Sequence, residues 1–162
     1  MSAVPAVDSS SSRARAYARA AAIAFAVVVL DQLSKRLIVS SIAPGQVVRV
    51  VPGLELVHWR NAGVAFSFMS SGGALVYVLI GLALLALVAF LGARPDLPWL
   101  WLPAGMLLGG AIGNLIDRVR LGAVTDFVKL PHWPAFNVAD ASITIGVILL
   151  VLVIEVGRSA TR

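Results

Sequence analysis

The chain has 162 residues, 59% of them hydrophobic and only 13% charged, well under the roughly 25% charged of an ordinary soluble domain. A single domain of this length cannot hide so much apolar surface from water, so a bilayer is the expected solvent. The net charge of +5 comes from Lys and Arg residues that flank apolar runs and form no basic stripe, which favours membrane-edge anchoring over nucleic acid; the lack of cysteine excludes disulfides, thiolate metal sites and a cysteine nucleophile.

Residues 1–16 are rich in Ser and Ala, include Arg13 and Arg15, and are expected to be a disordered tail. A basic start before an apolar run can be a signal peptide, but no small-residue cleavage site follows. Instead "VVVLDQLSKRLIVSSI" continues into a further apolar patch, and an uncleaved first span is expected over residues 17–39. Residues 41–73 form a long connection in which "QVVRVV" and "LELVHW" alternate around "PG", the pattern of two short strands and a turn on the membrane surface. Ala74 to Ala93 is uncharged and has the roughly 20 residues needed to cross a hydrocarbon core as a helix. After a short "RPD" link, a third span is expected over 97–116 and a fourth over 137–155, closed by Glu155 and Arg158, with a short tail at 159–162. The expected fold is therefore an all-α membrane protein, a four-transmembrane-helix bundle with a small β-containing surface loop between helices 1 and 2, as a single unit over 17–158. Basic residues fall on both sides in near-equal numbers, so charge alone does not orient the bundle. The arginines before the first span favour a cytoplasmic N-terminus.

Ionisable groups inside spans cost several kcal/mol or more and each needs a reason. Asp31 and Lys35 are one helical turn apart and share a face, as an internal ion pair or as a clamp at the mouth of a site. Gly105, Gly109 and Gly113 recur on one face of the third span and allow close helix packing in lipid. Asn114, Asp117 and Arg118 follow as a polar cluster, read first as a structural Asp117–Arg118 network. "NVAD" opens the fourth span with Asn137 as a helix cap and Asp140 as its capping-box partner. That explanation covers Asp140 but leaves Asp126, in "VTDF", unexplained. Two acids at the same end of neighbouring spans can converge across the bundle. "RNAGVAF" reads either as a turn on Asn61 and Gly63 or as a substrate contact. His58 and His132 are expected at the surface or at an interface, and a metal site from His132, Asp126 and Asp140 matches no strong ligand spacing.

In order along the chain, "DQLSK" (31–35), "RNAGVAFSF" (60–68), "GGAIGNLIDR" (109–118), "VTDF" (124–127) and "FNVADASITIG" (136–146) resemble the lipoprotein signal peptidase (signal peptidase II) family, bacterial aspartyl proteases of the inner membrane. The resemblance spans about residues 20–155. It implies that Asp126 and Asp140 are a catalytic dyad and that Asp31, Lys35, Asn61, Gly63, Asn114, Arg118, Asn137 and Ala139 support it or bind substrate. It implies an aspartic endopeptidase acting on prolipoproteins whose cysteine already carries a diacylglyceryl group, with cleavage just before that cysteine. No metal or other cofactor is expected, the partners are membrane lipids and the lipidated substrate, no nucleic acid is involved, and the enzyme is expected to be a monomer. The implied location is the bacterial cytoplasmic membrane, multi-pass, with both termini cytoplasmic and the site near the outer face. A proton- or ion-coupled transporter, in which the intramembrane charges form a relay, and a non-catalytic scaffold are the rival readings. The first lacks an internal repeat, and the second would tolerate loss of Asp126.

Overall fold

The computed structural model describes residues 9–62, 73–94 and 97–159. In chain order these form α1 (Ser9–Ser41), β1 (Val47–Val51), β2 (Leu54–Asn61), α2 (Gly73–Ala93), α3 (Trp101–Leu121), β3 (Val124–Lys129) and α4 (Val138–Ser159). Mostly helical with a small sheet, the fold is close to the expected one. Gly63, a candidate site residue, lies outside the described residues, as does part of the "RPD" link.

Helix α1 starts at Ser9, earlier than the first span was expected to begin. The reason is local: Ala and Arg are strong helix formers and the segment from Ser9 holds no Gly or Pro to stop it. Helix α3 begins at Trp101, with Pro103 in its first turn, where a missing N–H costs nothing. It runs past the expected end at 116 to Leu121. There Gly122, at φ 71°, closes it with an N–H donated to Arg118 O at 3.1 Å, a left-handed cap that a side chain would strain.

The α3 helix is the centre of the bundle, packing most extensively against α1 and α4. Its glycines make this possible. A Cβ added at Gly105 or Gly109 would lie 2.6 and 2.7 Å from the carbonyl oxygens of Ala20 and Ala24 on α1, and one at Gly110 would lie 2.6 Å from Ala139 O on α4. Backbones this close exclude any larger residue, as the small-residue spacing predicted.

The distribution of side chains is the reverse of a soluble protein's. Asp31, Lys35, Asn114, Asp117 and Asn137 are buried, while Phe25, Leu37, Leu85, Val151 and Val156 are more than 59% exposed. One apolar cluster does close one end of the bundle, where Ala20, Leu91, Leu97, Leu100 and Ala104 pack together. Among the described residues, α4 alone is long and apolar enough by itself to count as a membrane-crossing helix, with a mean hydropathy of 2.3 over its best window.

The sheet differs from expectation in extent. The β1–β2 hairpin forms as anticipated, with Gly53 at φ 85° in its turn. A third strand, β3, joins it antiparallel, giving the order β1-β2-β3. Strand β3 comes from the connection between α3 and α4, so the sheet ties both connections together. Phe127 on β3 packs with Ile38 and Ile42, fixing the sheet against the end of α1.

Candidate active site

Asp126 lies within β3, a strand where a loop was expected. The β2–β3 register pairs Asn61 with Val124 and Trp59 with Asp126. This makes Asn61 and Asp126 diagonal neighbours on one face of the sheet. Accordingly Asn61 Nδ2 donates to Asp126 Oδ2 at 3.0 Å. The other carboxylate oxygen, Oδ1, accepts from Asn137 Nδ2 at 2.8 Å.

Asp140 stands in the first turn of α4. The capping box read from "NVAD" is present: Asp140 N–H donates to Asn137 Oδ1 at 2.9 Å and Asn137 N–H donates to Asp140 Oδ2 at 3.2 Å. Asp140 Oδ1 accepts from Asn114 Nδ2 at 2.8 Å. Asn137 therefore touches both carboxylates, Asp126 through its amide and Asp140 through its backbone N–H. It is fully buried, and its amide also donates to Asn114 Oδ1 at 3.1 Å and Thr125 O at 3.3 Å. The two aspartates meet across this amide.

The chain between them is not slack. Phe136 N–H donates to Val128 O at 3.0 Å, and Val128 N–H donates back to Phe136 O at 2.8 Å. Lys129 Nζ donates to Trp133 O at 2.7 Å. The segment is a pinned excursion from β3 to the start of α4. Trp133 is 61% exposed, in keeping with an interfacial position, whereas Phe136 is held by the strand.

Behind the pair lies a buried charge network. Lys35 Nζ contacts Asp31 Oδ2 at 2.8 Å and Asp117 Oδ2 at 3.1 Å, and donates to Asn114 Oδ1 at 3.1 Å. Asp117 thus pairs with Lys35. Arg118, the partner expected for it, instead donates to Asn114 O at 3.3 Å. Asp31 Oδ1 accepts from Ala139 N–H at 3.0 Å, tying α1 to the start of α4. Ala139 is fully buried beside Gly110 and Gly113 of α3, so nothing larger fits there. A charge pair so deep gains little net stability, but removing one partner strands the other at a cost of about 3–5 kcal/mol.

Two members of this network had no role assigned from sequence. Gln32 donates to Asp31, Gly113 O and Asp117 at 3.2, 3.2 and 3.0 Å. Thr125 N–H donates to Asp117 Oδ2 at 2.9 Å, which anchors β3 immediately before Asp126. Gln32 sits within "DQLSK", where an uncharged amide beside Asp31 in an apolar span was the available signal. Thr125 acts through its backbone, which no side-chain pattern reveals. His58, expected at the surface or at an interface, is buried, with its Nδ1 2.9 Å from Ile42 O. His132 is exposed at φ 59°, and among the described residues no three His, Cys, Asp or Glu side chains are grouped to hold a metal ion.

Burial pushes the Asp126 carboxyl above the ordinary range, and the nearby Asp140 charge adds to this, while the hydrogen bonds from Asn61 and Asn137 oppose it. Asp126 opens onto a cleft of about 430 Å³ lined by His58, Trp59, Arg60, Asn61, Pro134 and Ala135. A larger cleft, about 700 Å³, lies away from the aspartates at the β1–β2 turn. An arrangement of two neighbouring carboxyls, one held above its usual range, can share a proton and exchange it with a molecule in the cleft.

Residues 23–156 match the family model described as signal peptidase (SPase) II. The chain belongs to the signal peptidase II family. It is 34% identical over 131 residues to the lipoprotein signal peptidase of Thermodesulfovibrio yellowstonii, covering 78% of this chain and 88% of the relative. It is 42% identical over 134 residues to that of Geobacter metallireducens, covering 77% and 83%. A solved bacterial membrane enzyme superposes with a TM-score of 0.77 at 34% identity, over 83% of this chain and 91% of that one. Family membership spans both halves of the site, from Asp31 on α1 to Asp140 on α4.

Proposed function

We propose that this signal peptidase II is an aspartic endopeptidase of the bacterial cytoplasmic membrane. It removes the signal peptide from diacylglyceryl-modified prolipoproteins, cleaving just before the lipidated cysteine. The observation that carries the mechanism is the double contact of Asn137 with Asp126 and Asp140. Residues 17–158 form one peptidase unit whose four helices span the bilayer, with both termini cytoplasmic and the aspartates near the outer face. The exposed apolar faces of α1, α2 and α4 support this: Leu33, Leu82 and Ile148 would be costly in water and are at home against acyl chains. The enzyme acts as a monomer.

Asp126 holds the shared proton, because burial disfavours its charge. Asp140, in the first turn of α4, is the partner that takes the proton from water. Water in the cleft gives a proton to Asp140 and attacks the scissile carbonyl carbon, while Asp126 gives its proton to the carbonyl oxygen. Asp140 then passes its proton to the leaving nitrogen as the C–N bond breaks, and Asp126 recovers a proton from the intermediate's hydroxyl. Asn61, Asn114 and Asn137 orient the carboxylates. Asp31, Lys35 and Ala139 lock α1 to the start of α4. Gly63 and Arg118 act on the substrate side.

The test is a gel-shift assay of the purified protein on a diacylglyceryl-modified precursor peptide, beside Asp126→Asn and Asp140→Asn. Cleavage by the parent alone is expected, with an unlipidated precursor cut poorly. Appreciable turnover by either variant would overturn the dyad. No cleavage by a folded parent would revive the transporter reading, to be checked by flux in vesicles.

A further inference from the structure

Between the ends of α1 and α3 nearest the sheet lies a groove of about 260 Å³, lined by Lys35, Arg36, Val39, Asp117, Arg120 and Leu121 among others. It opens away from the cleft that Asp126 lines, which shares no residue with it. Its exposed surface is largely apolar: Val39 is 45% and Leu121 44% exposed, and Leu33, Leu37 and Val119 on the same two helices are exposed as well.

The charges at its edge are unbalanced. Arg36 and Arg120 are exposed, and neither has an acidic partner among the described residues. The nearest acid in the lining, Asp117, is already occupied by Lys35, Gln32 and the Thr125 N–H. An apolar groove with two unpaired guanidinium groups on different helices, at the level where charged side chains meet headgroups, complements one phosphodiester with an attached acyl chain. An ammonium-bearing headgroup would place a cation beside two more.

We propose that this groove is a binding site for a single anionic glycerophospholipid. Its phosphate bridges Arg36 on α1 and Arg120 on α3, and an acyl chain lies on Val39 and Leu121. The lipid covers the outer side of the Lys35–Asp31–Asp117 network and excludes water from it. It also braces Thr125, which lines the same groove directly before Asp126 on β3. The inference rests on the membrane placement proposed above and is independent of the peptidase chemistry.

The experiment is native mass spectrometry of the full chain in neutral detergent, titrated with phosphatidylglycerol or phosphatidylcholine. The parent, Arg36→Gln/Arg120→Gln and the distant control Arg158→Gln are compared. One saturable phosphatidylglycerol per parent chain is expected, with phosphatidylcholine held weakly. Each arginine near the headgroups is worth roughly fivefold in affinity, so the double variant should bind about 25-fold more weakly. Arg158→Gln should match the parent, and inorganic phosphate should not displace the lipid. Equal phosphatidylglycerol retention by parent and double variant overturns the site. So does equal retention of the two lipids, which would mean annular lipid only, or displacement by inorganic phosphate, which would make the free ion the ligand. The circular dichroism spectrum and Tm of the double variant, measured alongside, report on folding. A parent that binds the lipid but cuts nothing counts against the peptidase reading alone.

Discussion

Replacing Asn137 by Ala removes the one side chain that joins the two aspartates. Three losses can be read from its contacts. Asp140 N–H loses its cap at 2.9 Å, worth about 1 kcal/mol. Asp126 Oδ1 loses a donor at 2.8 Å, and a buried acceptor left without its donor costs about 1–3 kcal/mol. The vacated space at a fully buried position adds about 1 kcal/mol. Asn114 Oδ1 is spared because Lys35 still donates to it. The sum, about 3–5 kcal/mol, should lower Tm by roughly 10 °C for a chain of this size. Tryptophan fluorescence in detergent reads this directly, since the chain has 4 Trp. Turnover on the lipidated precursor should fall about 100-fold or more, because a carboxylate displaced by an ångström loses that much. A Tm within about 2 °C of the parent's, at the limit of a 1 kcal/mol effect, would show that Asn137 does not hold the site. Full turnover would show that its contacts do not position the aspartates.

Asn61→Ala removes a hydrogen bond that favours the ionised form of Asp126, so that carboxyl should rise further. In the proposed mechanism Asp126 acts in its protonated form, so the basic limb of the kcat/KM profile should move to higher pH, and an unmoved limb would contradict the assignment. Gly109→Ala forces a methyl against Ala24 O and should cost about 1–3 kcal/mol. Gly81→Ala, with nothing within 4 Å on α2, should be neutral or stabilising by up to about 1 kcal/mol, and equal Tm changes for the two would refute the packing account. Cleavage should persist in EDTA, and its loss with recovery on adding zinc would count against the two-aspartate mechanism.

The legible part of this molecule was the part encoded in local pattern. Alternation around "PG" gave β1 and β2, and the capping box at Asn137 and Asp140 appears in the hydrogen bonds as read. The close approaches at Gly105 and Gly109 follow from small-residue spacing. What escaped depended on distant pairing. "VTDFVK" is too short and mixed to announce a strand, and it becomes β3 only because β2 offers an edge to it. Likewise Asp117 next to Arg118 suggests an ion pair, yet adjacent helical residues point in different directions. Asp117 therefore meets Lys35 across the helix interface. His58 is buried, with Nδ1 against Ile42 O just past the end of α1, a contact between residues far apart in sequence.

The same logic explains why so much polarity is kept inside so apolar a chain. A carboxyl pair can do acid–base work only if its geometry is fixed and its two members differ in charge state. Asp126 and Asp140 come from a strand and a helix, whose apolar contact is made beside them, around Phe127 and Val138. Amides do the joining: Asn61 from β2, Asn114 from α3 and Asn137 before α4 each donate to one of the carboxylates. An amide presents both a donor and an acceptor at no net charge, so it can orient a carboxylate without neutralising it as Lys or Arg would. Lys35, the one buried cation among the described residues, is accordingly spent on Asp31 and Asp117 and touches the Asn114 amide, to whose Oδ1 it donates. Exchanging Asn114 for Asp would break this separation. It would set a third carboxylate against Asp140 and draw on the Lys35 charge. Turnover should then fall even where the fold is retained, and a fully active Asn114→Asp enzyme would mean that neutrality at this position is not what the site requires.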